Sequence, residues 1–197
     1  MLRIIGGRFR GRRLHTPRGL AVRPTADRVK ACIFDVLQDL LPGSRVVDLY
    51  AGCGNLGLEA LSRGAHAVVL VEAALPALGA LQRNLDLLGV GGEVEVVRRD
   101  ALRYLAESHA VPFDVVLADP PYAAGAESAL LATVGAALRP GGWFALQHDG
   151  RVPMPPTAGL HAYSARRFGA TVVDFFYREE DTRDATGRPN RSLPGDV

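Results

Sequence analysis

Asp119-Pro120-Pro121-Tyr122 places a carboxylate, two rigid backbone units and an aromatic ring in one tetrapeptide. Proline lacks the N–H that a central strand needs, so the apolar run at 113–118 must stop pairing there. Pro121 biases Pro120 toward an extended conformation, which fixes the direction of the Pro120 carbonyl. A carboxylate and an aimed carbonyl accept hydrogen bonds from an exocyclic amine, and the Tyr122 ring can stack on the base that carries it. The plain alternative is a Pro-Pro turn between a strand and a helix.

The upstream glycine loop decides between them. Ala51-Gly52-Cys53-Gly54-Asn55-Leu56-Gly57 follows a strand expected at 45–50 and opens a helix. Without side chains at Gly52 and Gly54, a ligand can approach the backbone closely. Asp48 precedes the loop, Glu72 closes the second strand, Asp100 the third and Asp119 the fourth. Glu72 lies 24 residues beyond Asp48, about where an acid reaches ribose hydroxyls in nucleotide-binding sheets. Four acids at successive strand ends disfavour a pyrophosphate. A cofactor with a cationic centre and no phosphate fits, and S-adenosylmethionine has a sulfonium, a ribose and an adenine. Cys53 has no histidine placed to activate it and reads as a small loop residue.

These residues need a scaffold. The alternation of apolar runs with helical spacing predicts a doubly wound, mostly parallel, seven-stranded Rossmann-like α/β sheet. Strands are expected at 45–50, 67–71, 93–98, 113–118 and 143–147, with a closing pair at 160–165 and 170–177. Helices are expected after Gly57 and at 75–88, 101–107 and 125–138, the last broken by Pro140-Gly141-Gly142. Before the sheet, 2–5 and 8–14 suggest a small β-hairpin. Thr25 is a candidate N-cap for a helix that Pro42-Gly43 ends, with Val29, Cys32, Ile33, Val36, Leu37 and Leu40 on one face. The domain reading is a basic hairpin and helix extension at 1–42, a catalytic domain at 43–181 and a flexible tail at 182–197.

Charge separates the extension from the sheet. Residues 1–30 carry nine cations against Asp27, a net +8, which leaves −6 on the rest of a chain whose net charge is +2. A basic arm on an acidic body suits a polyanion, and guanidinium groups bind phosphate as a fork and stack on bases. Cys32 and Cys53 are the two cysteines, without disulfide or metal spacing, so no metal is expected and a reducing cytoplasm fits. No apolar run reaches the length of a membrane span.

Asp48-Leu49-Tyr50-Ala51-Gly52-Cys53-Gly54 followed by Asp119-Pro120-Pro121-Tyr122 resembles the class I amino-methyltransferases. Residues 3–12, residues 23–30 and Gly57-Leu58-Glu59-Ala60-Leu61-Ser62-Arg63-Gly64-Ala65 are similar to the bacterial RsmD family. Cys53-Gly54-Asn55 and the polar tail depart from that family. The resemblance implies methylation of the N2 amine of a guanine in 16S ribosomal RNA, with S-adenosylmethionine as methyl donor. It implies that Glu72 holds the ribose and Asp100 with Ala101 the adenine. Asp48, Gly52 and Gly54 would line the methionine end, with Tyr50, Ala51 and Asp119 also in the cofactor set. Asp119, Pro120, Pro121 and Tyr122 would hold the base. Arg8, Arg10, Arg12, Arg13, Arg23 and Arg28 would bind RNA. A cytoplasmic monomer acting on a small-subunit particle, with no DNA or membrane partner, is expected. The rivals are a DNA adenine-N6 methyltransferase, a protein glutamine methyltransferase, for which asparagine is expected in place of Asp119, and a catalytically silent RNA-binding protein.

Overall fold

A computed structural model describes residues 2–17, 26–107, 111–121, 126–151 and 159–180. Apolar runs form β1 (Arg45–Leu49), β2 (Ala67–Val71), β3 (Val94–Val97) and β4 (Phe113–Ala118). These lie parallel with β5 (Leu138–Asp149). β6 (His161–Phe168) and β7 (Thr171–Tyr177) add an antiparallel edge, giving the order β3-β2-β1-β4-β5-β7-β6. The chain runs outward from β1 to β3, then returns to place β4 on the other side of β1. That reversal opens a crevice at the carboxyl ends of β1 and β4.

The period of two along each strand sends neighbouring residues to opposite faces. Val46, Val68, Leu70, Val115 and Leu117 meet α1 (Ala26–Val36), α2 (Gly57–Ser62) and α3 (Leu75–Leu88) in one core. Val47, Leu49, Val69 and Val116 meet α4 (Ala101–Leu105) and α5 (Ala126–Ala137) in the other. Each fully buried valine or leucine contributes roughly 1.5–3 kcal/mol relative to exposure. α3 ends at Gly89, whose N–H caps the helix in the left-handed conformation. Asp100 caps α4 by accepting from the Arg103 N–H.

The arm belongs to the first core. Ile4 and Leu14 are buried there with Val29 and Ile33. Its two limbs pair through Ile4 N–H to Arg12 O, Gly11 N–H to Ile4 O and Leu14 N–H to Leu2 O. The expected hairpin is therefore present as paired limbs, but only Arg3 and Arg13 form a β-bridge, and a 3-10 turn at Gly7–Phe9 joins them. Ser62 on α2 fastens that turn, donating to the Gly6 carbonyl at 2.6 Å and accepting from the Phe9 N–H at 2.9 Å.

Two other boundaries differ from expectation. α1 stops at Val36, and Gln38–Leu40 form a separate 3-10 turn, so the helix ends before Pro42-Gly43. β5 begins at Leu138, not Trp143: Leu138 pairs with Phe113, the register shifts before Val115, and Arg178 brackets Gly141 and Gly142 with two backbone bonds. A bulge lets Pro140 sit in a strand without breaking its neighbours' pairing. Thr25 and the tail at 182–197 lie outside the described residues. Among the described residues, no helix is long and apolar enough to cross a membrane.

Candidate active site

The strand ends and the glycine loop bring the acids together. After β1, Tyr50 turns the chain with φ 61, the only positive value at a non-glycine residue among those described. Gly52 and Gly54 follow with φ 59 and 87. Their roles differ. A Cβ at Gly54 would lie 2.7 Å from Leu81 Cδ1 and 2.8 Å from Leu58 Cδ1, so Gly54 lets the loop press onto α2 and α3. A Cβ at Gly52 would meet nothing closer than the Tyr50 carbonyl at 4.0 Å, so this stretch of backbone faces open space.

Glu72 holds the loop from the sheet side. One carboxylate oxygen accepts from the Gly52 N–H at 2.8 Å and the other from the Ala74 N–H at 2.7 Å. Asp48 lies beneath the loop, 1% exposed, and accepts from the Gly57 N–H at 2.7 Å. Burial pushes the Asp48 carboxyl up to about 8, against the pull of that hydrogen bond, and the negative charges of Asp119 and Glu72 add to the rise. Asp48 is thus a buried floor of the crevice rather than part of its open wall. Asp100 is exposed at the start of α4, next to buried Ala101.

Asp119 is exposed directly after β4, and Gln147 on β5 donates to one of its oxygens at 2.8 Å. Pro120 is buried and Pro121 exposed. Tyr122 lies outside the described residues, as does Arg23. The Cys53 thiol is buried and burial pushes it up to about 11, which removes it as a nucleophile at neutral pH. Among the described residues, no group of His, Cys, Asp and Glu could hold a metal ion.

Several side chains around the site carried no signal in the sequence. Gln147 sits 28 residues beyond Asp119 and reaches it only because β4 and β5 are neighbours. Glu127, 2% exposed at the start of α5, has one carboxylate oxygen without a hydrogen-bond partner among the described residues. His148 is buried at the end of β5 and bonds Asp174 at 2.6 Å; burial, the largest single influence, lowers its pKa, but the bonds to Asp174 and the Asp149 carbonyl and the nearby negative charges together outweigh it, and the net shift is upward. Asn84 and Lys30 reach the outer side of the glycine loop.

The arm's cations divide into two sets. Arg8 is tied to Glu93 at 2.7 Å and Arg3 to Asp27 at 3.1 Å. Arg10, Arg12, Arg13 and Arg28 are exposed, with no acidic partner among the described residues.

Comparison with known proteins places this arrangement. The chain is 38% identical to Ribosomal RNA small subunit methyltransferase D of Escherichia coli (strain K12) over 144 residues, 73% of this chain and 70% of the relative. The solved structure of an Escherichia coli protein, yhhF, named "Putative methyltransferase", superposes with a TM-score of 0.81 at 28% identity, covering 90% of this chain and 98% of that one. A Thermus thermophilus 16S rRNA N2 G1207 methyltransferase, solved with AdoMet and guanosine, matches with a TM-score of 0.65 at 25% identity, over 83% of this chain and 44% of that longer one. The family described as Conserved hypothetical protein 95 matches residues 2–177, from the arm through the glycine loop to the closing strand, and the chain belongs to it.

Proposed function

We propose that this protein methylates the N2 amine of a guanine in 16S ribosomal RNA, using S-adenosylmethionine. The observation that carries the reading is the crevice itself. Its exposed Asp119 is oriented by Gln147 at the carboxyl end of β4, beside a glycine loop whose Gly52 faces open space. The names of the Escherichia coli and Thermus thermophilus relatives support a ribosomal RNA substrate and a guanine amine.

The residues present fit the methyl donor. Asp48, Glu72, Asp100 and Asp119 gather carboxyl groups at neighbouring strand ends, and the negative charges of Asp119 and Glu72 help keep Asp48 protonated. A cationic ligand relieves that repulsion. Glu72 keeps a free lone pair on each oxygen for a ribose hydroxyl, and Asp100 with the Ala101 backbone would hold the adenine. When bound, S-adenosylmethionine supplies an activated methyl group on a sulfonium. The chain's part is placement, since alignment of the reacting atoms supplies much of the rate. Asp119 and the Pro120 carbonyl take the two N–H bonds of the guanine amine, leaving its lone pair aimed into the crevice. Asp119 would also take the proton that the methylated amine loses. Tyr122 would stack on the flipped base. Arg10, Arg12, Arg13 and Arg28 would bind RNA phosphates.

Tritiated methyl transfer to naked 16S ribosomal RNA, small-subunit particles, DNA and protein, run in parallel, tests the reading. Label in a guanine of 16S RNA is expected, and label confined to DNA adenine or to protein would overturn it. Asp119→Ala is expected to lower methylation by about a hundredfold or more while S-adenosylmethionine still binds.

A further inference from the structure

The glycine loop is gripped on its outer side as well as from the sheet. Asn84 on α3 is fully buried. Its amide donates to the Cys53 carbonyl at 2.9 Å and the His15 carbonyl at 3.0 Å, and its oxygen accepts from the His15 N–H at 2.7 Å. Lys30 on α1 is 1% exposed and donates to Asn55 Oδ1 at 3.0 Å, to the Glu59 carboxylate at 3.1 Å and to the Arg3 carbonyl. Arg3 and His15 lie at the two ends of the arm. Each end is therefore joined through one buried side chain to one residue of the loop, Arg3 by Lys30 to Asn55 and His15 by Asn84 to Cys53. Exposed Arg10, Arg12 and Arg13 lie between those ends.

This matters because the loop is not at ease on its own. Tyr50 is held at a positive φ that a bulky side chain rarely adopts. Such backbone persists only where its surroundings over-determine it. The bonds to Cys53 and Asn55 are part of those surroundings, and the two side chains that make them also hold the ends of the arm. If the arm lifts, Asn84 loses both of its bonds to His15 and keeps only the one to Cys53, and Lys30 loses the Arg3 carbonyl. Buried polar groups left that way are costly.

We propose that Asn84 and Lys30 are positioning residues that couple the arm to the glycine loop, so that RNA on the arm and S-adenosylmethionine on the loop tighten each other's binding. The identity of both ligands rests on the function proposed above. RNA that fixes the arm favours the seated state, and the seated state presents the loop in its binding shape. Linkage requires the effect to be equal in both directions.

The test is calorimetry with S-adenosylhomocysteine, which cannot donate a methyl group, and a 16S RNA fragment carrying the target guanine. In the wild type, RNA should tighten S-adenosylhomocysteine by about fivefold or more, and S-adenosylhomocysteine should tighten RNA by the same factor. Asn55→Ala, at a half-buried position, should bring the factor to near one; Asn55→Asp, which keeps an acceptor for Lys30, should retain it. Asn84→Ala should also remove the coupling, with its melting temperature measured alongside. A wild-type factor of one, or an unchanged factor in both alanine variants, would overturn the proposal. If RNA fails to bind while S-adenosylhomocysteine binds, the proposed function fails instead. The positioning role is then judged from S-adenosylhomocysteine alone: both alanine variants should weaken it, and unaltered affinity in both would end that role.

Discussion

Glu59 and Asp48 are two carboxylates buried to 0% and 1% exposure, and they are treated in opposite ways. Glu59, at the junction of the arm and α2, has two donors on each oxygen. One oxygen accepts from the Gly6 N–H and Arg63 Nε, the other from the Ile5 N–H and Lys30 Nζ. Asp48, below the crevice, accepts from the Gly57 N–H and otherwise faces the negative fields of Asp119 and Glu72. At the junction the protein neutralises its own charge. At the crevice Asp48 stands in the negative field of Asp119 and Glu72, and the proposed cationic ligand would relieve it. Degree of internal satisfaction thus separates these two acids where burial alone does not.

The largest effect should come from breaking the junction. Glu59→Gln is isosteric, but whichever oxygen becomes an NH2 group then faces two donors, and Lys30 loses its counter-ion. Breaking a buried pair in this way costs about 3–5 kcal/mol, which is a fall of roughly 6–20 °C in Tm for a chain of this size. Thermal unfolding followed by circular dichroism measures it, and an unchanged Tm would show that the carboxylate does not close the junction.

Glu72→Ala comes next. It removes the anchors of Gly52 and Ala74 together with the proposed ribose acceptor. The expected loss of S-adenosylmethionine affinity is about 2–4 kcal/mol, thirtyfold or more in Kd. Titration calorimetry reads this directly, and an unchanged Kd would place the ligand away from β2.

Asp48→Asn sharpens the comparison by sign. The folded carboxyl titrates at about 8 and the ordinary value is 3.8. The folded chain keeps this proton where the unfolded chain has lost it. Its contribution to stability is therefore complete below the ordinary value and is lost as pH rises through the folded one. Asn keeps the acceptor for Gly57 and has no proton to lose. The variant should come closest to the wild type in Tm near pH 4, exceed it increasingly toward pH 9, and bind S-adenosylmethionine less well. Parallel Tm–pH curves for the two proteins would refute the assignment.

Much of the fold was legible because it is written locally. β2 is an unbroken apolar run, β4 is one but for Asp114, and α3 shows leucines at helical spacing with Gly89 as its stop. The site was legible in part for the same reason: Asp48, Glu72, Asp100 and Asp119 stand at the ends of readable strands. What was not legible depends on the assembled sheet. Gln147 reaches Asp119 across neighbouring strands, Glu59 takes backbone donors 53 and 54 residues away, and Asn84 meets His15 across 69. Pro140-Gly141-Gly142 reads as a break because a bulge is a property of two strands, not one. The charge of the arm was legible, but its seating on the core was not, since Ile4 and Leu14 look ordinary until α1 covers them.

The smallest effect belongs to the arm's exposed surface, and it separates charge from seating. Four cations, Arg8, Arg10, Arg12 and Arg13, are equivalent in the sequence. In the fold Arg8 is engaged by Glu93, so three remain to meet phosphate. Each phosphate contact adds about 0.7 to the log–log salt slope for single-stranded RNA. Replacing Arg10, Arg12 and Arg13 with alanine should therefore flatten the slope by up to about 2 units, and replacing Arg8 as well should add little. Because these side chains point away from the core, Tm and the affinity for S-adenosylmethionine without RNA should stay as in the wild type. Filter binding of a 16S RNA fragment at several salt concentrations gives the slope. A well-folded triple variant with an unaltered slope would move the RNA surface off the arm, and a triple variant with a lowered Tm would mean that the arm's charge and its seating are not separable.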